Sequence, residues 1–218
     1  LFFFGGFLSG FFDAFVFFLR FFELTLPPIH PPTKPPTTDF IARQIDVLNA
    51  GYKSAGFQFA LAGTTRTFNP QWANAGYGTS DADAMFRKLR QGGYDALNFF
   101  VVYPPGGLLG YATFPLDRQS PASMRRLDGV VLHYNSLPSR PGEEEPWAYA
   151  RGQTAVHEAG HWFGLYHTFQ GGCEQEDGGD QVADTPPEAQ PTFGCDLKAS
   201  KPVDTCPDSN GVSAFFFF

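Results

Sequence analysis

The sequence predicts a mixed α/β (α+β) domain, on three observations. Helical and strand periods alternate along the middle of the chain in the order helix, strand, helix, strand, strand, strand, helix. One strand candidate, ALNFFVVY (96–103), is a continuous apolar run suited to a buried central position. Another, in PPGGLLGYATFP (104–115), carries prolines that suit an edge.

The elements follow in order. Thr38 or Asp39 can cap a helix with apolar positions Phe40, Ile41, Ile45, Val47 and Leu48, ending near Gly51. GFQFALAGTTRTF (56–68) alternates between glycine boundaries and reads as a strand. Ser80 or Asp81 then caps a helix through Leu89, stopped by Gly92 and Gly93. After the 96–103 strand and the 104–115 turn and edge strand, LDGVVLHYNSLP (127–138) is a further strand. A Pro-, Gly- and Glu-rich loop leads from it into a last helix.

The two ends read differently. Of the 26 Phe, eleven lie in residues 1–22 and four form the run 215–218, so the excess belongs to the termini. The first 22 residues approach the length of a membrane span, but Asp13, Arg20 and three glycines oppose that reading. A basic n-region and a clean small-residue cleavage site are both missing, which opposes an intact signal peptide. The expected organisation is therefore a Phe-rich segment over 1–26 (a degraded leader or a gene-model artefact) and a Pro-rich linker over 27–37. The folded domain follows at 38–212, with a tail at 213–218 that does not look native. The net charge of −7 argues against a basic nucleic-acid-binding surface.

The chemistry concentrates in TAVHEAGHWFGLYHTF (154–169). Three of the five histidines, His157, His161 and His167, fall within eleven residues as HExxHxxGxxH. That pattern arises by chance in only about 10⁻⁵ of sequences of this composition. His157 and His161 are one helical turn apart and leave the same helix face. Glu158 adjoins the first ligand, where its carboxylate can reach a zinc-bound water without ligating the metal. Gly164 can end the helix in a left-handed conformation and turn the chain so that His167 reaches the same ion. Three imidazoles leave one zinc position open, the arrangement of a catalytic site. In this scheme Glu158 takes the proton of the water that attacks a carbonyl. The acidic loop CEQEDGGDQVADTP (173–186) offers Asp177, Asp180 and Asp184 as candidate calcium ligands, without EF-hand spacing. A solvated loop is the alternative.

The run HEAGHWFGLYH, followed by TFQGGC, DQVADTP and DTCPDS, resembles the pappalysin-type (cytophagalysin-like) metzincins, and most of all their secreted fungal members. The upstream QIDVLNAGY, GFQFALAGTTRT, LNFFVVY, GGLLGYATFP and LDGVVLHYNSLP share in the likeness, which covers about residues 40–212. The resemblance implies a metzincin-like catalytic domain with a mixed twisted sheet, an antiparallel edge strand and an active-site helix. It implies one catalytic Zn²⁺ on His157, His161 and His167, Glu158 as general base and acid, and endopeptidase action on protein or peptide substrates outside the cell. Leu108, Leu109, Gly110 and Tyr111 would form the edge along which a substrate adds as another strand. It also implies a Cys173–Cys206 disulfide, with Cys195 left for a fourth cysteine that this sequence does not contain. Metzincins continue into a methionine-bearing turn beneath the zinc. The only methionines here, Met85 and Met124, precede the motif, so the C-terminal subdomain is expected to be incomplete.

Overall fold

The computed structural model describes residues 15–25, 38–93, 95–116, 119–139, 148–173, 179–182, 185–191 and 205–206. A single five-stranded sheet organises them. Its strands are β1 (Phe15–Thr25), β2 (Phe57–Phe68), β3 (Ala96–Val102), β4 (Gly110–Ala112) and β5 (Val130–His133). The spatial order is β2-β1-β3-β5-β4, with β4 alone antiparallel. The long helices are α1 (Thr38–Tyr52), α3 (Ser80–Leu89) and α5 (Gln153–Trp162). Short turns of helix, α2 (Pro70–Ala73) and α4 (Ala122–Arg125), punctuate the connections.

β3 is the centre, and every one of its residues is buried. Its alternating side chains feed two cores. Leu97, Phe99 and Val101 pack with Leu19, Phe59, Val130 and Leu132 against Ile41 and Leu48 of α1 and Ala155, Ala159 and Trp162 of α5. Phe100 and Val102 face the other way, with Val131, toward Ala73 of α2 and Met85 and Phe86 of α3. Each large side chain so buried contributes about 1.5–3 kcal/mol. Asn98 is the polar exception within β3. Its amide donates to the Gln91 and Ala96 carbonyls and its oxygen accepts from the Gln91 N–H, so its burial leaves no group orphaned.

The largest departure from the sequence reading is β1. Residues 15–25, expected to stand apart from the domain within a segment over 1–26, form the strand between β2 and β3. Phe15 pairs with Phe57 and Phe18 with Ala96, in parallel. Leu19 is fully buried, and the Phe17 ring lies 5.5 Å from Phe57 and 5.0 Å from Phe163. The run FVFFLRFF shows no polar alternation and so resembles a leader more than a strand, yet a near-continuous apolar run is also how a parallel strand inside a sheet reads. Residues 1–14, the 27–37 linker and the 213–218 tail lie outside the described residues.

Three boundaries also move. The cap of α3 is Thr79 rather than Ser80 or Asp81, because its extended backbone lets its hydroxyl accept from the Ala82 N–H. The strand expected over 127–138 is only Val130–His133. It ends where His133 Nδ1 accepts from the Asn135 N–H and the chain tightens into a 3-10 turn at Tyr134–Ser136. The edge strand begins at Gly110, with Leu108 and Leu109 leading into it.

Candidate metal centre and the edge strand beside it

The three histidines of the motif converge. His157 Nε2 and His167 Nε2 each lie 3.0 Å from His161 Nε2 and 3.3 Å from one another. Zinc–nitrogen bonds of about 2.0–2.1 Å in tetrahedral geometry separate ligand nitrogens by about 3.3–3.4 Å. The donor set therefore fits one zinc ion, and it is the one such group among the described residues.

Local structure explains the convergence. α5 starts after Gly152, and two contacts to α1 hold it: Gln44 Nε2 donates to the Gly152 carbonyl and Tyr52 Oη to the Val156 carbonyl. It stops in a Schellman motif, with the Leu165 N–H donating to the Gly160 carbonyl and the Gly164 N–H to that of His161. Gly164 has φ of +101°, as the sequence required of it. This same turn brings the Leu165 carbonyl to His161 Nδ1 at 2.6 Å. A carbonyl can only accept, so the proton sits on Nδ1 and the Nε2 lone pair faces the other two histidines. His167 is stacked on Phe169 at 4.6 Å, and the next residue along, Thr168, donates to Glu188 Oε2 at 2.6 Å.

Burial sets the charge states. It lowers His157 to about 4, with the neighbouring His161 and His167 adding to the effect, and lowers His167 as well. Neutral imidazole is the form that ligates metal. Burial pushes Glu158 the opposite way, to about 8. A dication alongside would favour its carboxylate form again.

Glu158 meets the edge strand at Gly110. A Cβ on Gly110 would stand 2.9 Å from Glu158 Cγ, 3.0 Å from Thr154 Cγ2 and 2.8 Å from the Val131 carbonyl oxygen. A glycine is what lets α5 approach β4 this closely. The hydrogen bonding of β4 follows from two flanking contacts: the His133 N–H donates to the Leu109 carbonyl and the Thr113 N–H to the Gly129 carbonyl. Residues 109, 111 and 113 therefore point their backbone groups inward to β5, and Gly110 and Ala112 point theirs outward, to an edge that no other strand covers among the described residues.

Behind the helix, Asp128 accepts from Trp162 Nε1 at 2.7 Å and from Arg90 at 2.8 Å, tying the turn after His161 to the start of β5. Sequence reasoning had no signal for this pair, nor for Glu188, because each contact joins residues at least 20 positions apart. The Cys173–Cys206 disulfide is present and closes the segment that follows His167. Of the candidate calcium ligands, Asp180 uses Oδ1 to accept from the Val182 N–H, while Asp177 and Asp184 lie outside the described residues, as does Cys195.

A mixed sheet with one antiparallel edge, a helix carrying two imidazoles and a third after a glycine turn together define the metzincin fold. Solved structures bear this out. Mature mirolysin of Tannerella forsythia, in complex with a cleaved peptide, superposes with a TM-score of 0.69 at 25% identity, over 93% of this chain and 82% of that one. Residues 138–210 match the family described as pregnancy-associated plasma protein-A. The chain is 42% identical over 167 residues to extracellular metalloprotease 1 of Coccidioides posadasii, covering 77% of this chain and 55% of the relative. It is likewise 42% identical over 173 residues to an extracellular metalloprotease of Pyricularia oryzae, covering 79% and 56%. The chain is thus related to the pappalysin-type metzincins, and it spans little more than half the length of these fungal relatives.

Proposed function

We propose that this chain is the zinc-binding and substrate-presenting part of a secreted zinc endopeptidase. The observation that carries the reading is the convergence of three Nε2 atoms within 3.3 Å, two from α5 and one from beyond its glycine turn, with Glu158 of that helix packed against the edge strand β4. His157, His161 and His167 would hold one zinc ion. Zinc supplies Lewis acidity, which polarises a peptide carbonyl and lowers the pKa of water to about 7.

The chain's own residues do the rest. Gly110 and Ala112 would pair their outward N–H and C=O groups with an extended peptide, fixing its scissile bond beside Glu158. The Glu158 carboxylate would take a proton from the attacking water and return it to the leaving amine. The Leu165 carbonyl holds the His161 tautomer throughout. The disulfide agrees with an oxidising, extracellular destination. Domain limits of 38–212, with β1 added to them, and a structural calcium in the 173–186 loop belong to the same proposal.

A second reading is a zinc-binding fragment impaired in catalysis, since three converged imidazoles can hold an ion whether or not a reaction follows. One experiment separates the two: express the chain, measure bound metal, and follow casein digestion with and without a chelator. One zinc per chain with chelator-sensitive cleavage supports the enzyme, and Glu158→Gln should then keep the zinc and lower the rate by about 10²–10⁴. One zinc without cleavage supports the fragment. Absence of bound zinc would reject both.

A further inference from the structure

The parity of β4 separates the side chains of an added strand into two sets. Directly opposed residues of antiparallel strands share a face. Substrate residues across from Gly110 and Ala112 would therefore face α5, on the Glu158 side. The residue between them lies across from Tyr111 and points to the other face. Because Tyr111 gives both its backbone groups to β5, this is a non-hydrogen-bonded pair, the kind whose Cα atoms come closest, at about 4.5 Å.

On that face stands an aromatic pair. Tyr111 belongs to the core built with α2 and α3, and Tyr77 crosses it edge to face with ring centroids 5.3 Å apart. Tyr77 is 74% exposed, so among the described residues most of its ring beyond the Tyr111 contact is uncovered. An exposed ring packed on the edge-strand residue Tyr111 is in reach of a side chain added across from it, and cross-strand pairs of aromatic with aromatic or β-branched side chains are the stabilising ones.

We propose that Tyr77 and Tyr111 form a subsite, on the sheet face opposite the histidines, for an aromatic or β-branched side chain of an extended peptide. This rests on the edge-strand reading above and adds a specificity to it. Tyr77 is the selecting residue, and Tyr111 sets which peptide position it reads.

The test uses the zinc-loaded Glu158→Gln chain, which keeps the metal without turning the peptides over, and fluorescein-labelled octapeptides in which each position in turn carries Phe, Val, Ala or Lys, with binding read by anisotropy. A single central position is expected to favour Phe and Val over Ala and Lys by roughly two- to five-fold. Tyr77→Ala should erase that preference while melting temperature and zinc content stay as in the parent, and Tyr77→Phe should keep it. Binding without a preferred position, or a preference that survives Tyr77→Ala, overturns the subsite alone. Failure of every peptide to bind overturns the edge-strand reading and the subsite with it.

Discussion

Gly110→Ala tests how the metal helix is seated. The added methyl would lie 2.8 Å from the Val131 carbonyl oxygen, 2.9 Å from Glu158 Cγ and 3.0 Å from Thr154 Cγ2. Carbon–carbon contacts are comfortable at about 3.5–4.0 Å. The Val131 oxygen belongs to the backbone of β5, so that contact is relieved only by a shift of β4 itself, while the Glu158 and Thr154 contacts require α5 to move off β4 by roughly 0.5–1 Å. Overpacking of this kind costs about 1–3 kcal/mol. For a chain of this size that lowers Tm by about 2–12 °C. His157 and His161 travel together on the helix, so zinc should stay bound at one per chain. Glu158, however, shifts against the edge that positions the peptide, and a displacement near 1 Å can cost about 10² in rate. Differential scanning calorimetry, metal analysis and casein hydrolysis read the three quantities. A Gly110→Ala variant that melts within about 1 °C of the parent and cleaves within about two-fold of it would refute the seating described above.

The remaining expectations concern the strand that the sequence disguises and the ends of the motif. Phe17→Ala removes a ring packed on Phe57 and Phe163 and should cost about 2–4 kcal/mol, seen as a fall in urea midpoint at constant slope; an unchanged midpoint would mean that β1 is no part of the sheet. Gly164→Ala places a Cβ at φ +101° and 3.3 Å from Pro115 Cγ, at a cost of about 1–2 kcal/mol. Competition with a chromophoric chelator should show zinc held roughly ten-fold more weakly, because His167 is carried by that turn. The Cys173–Cys206 bridge spans 33 positions, and the chain-entropy relation gives about 3–4 kcal/mol for it. The double Ser variant should melt correspondingly earlier, and a melt equal to the parent's would show that the bridge does not form.

Some features of this protein are local, and those are legible in its sequence. The i, i+4 spacing of His157 and His161 places two imidazoles on one helix face wherever that helix lies, and Gly164 supplies the turn that the third ligand needs. The periods of α1, β2, α3 and β3, and the prolines around β4, set their types in the same way. Capping decides helix starts to within a residue, which is why Thr79 displaces Ser80 without altering α3.

What only the tertiary structure decided are the pairings between distant residues. β1 joins β2 across more than 40 positions, and no local pattern tells a Phe-rich strand from a Phe-rich leader; the difference lies in whether two neighbouring strands supply its hydrogen bonds. Likewise, the sequence places Gly110 on the edge strand, but only the arrival of α5 shows that the absent side chain makes room for Glu158. Asp128 is an ordinary acidic residue until Trp162 and Arg90 close on it. The motif thus specifies its ligands by helical period, while the surface that would meet a peptide is specified by how the sheet closes around β1 and leaves β4 open. That arrangement depends on burial shared among segments far apart in the chain, which no single segment encodes.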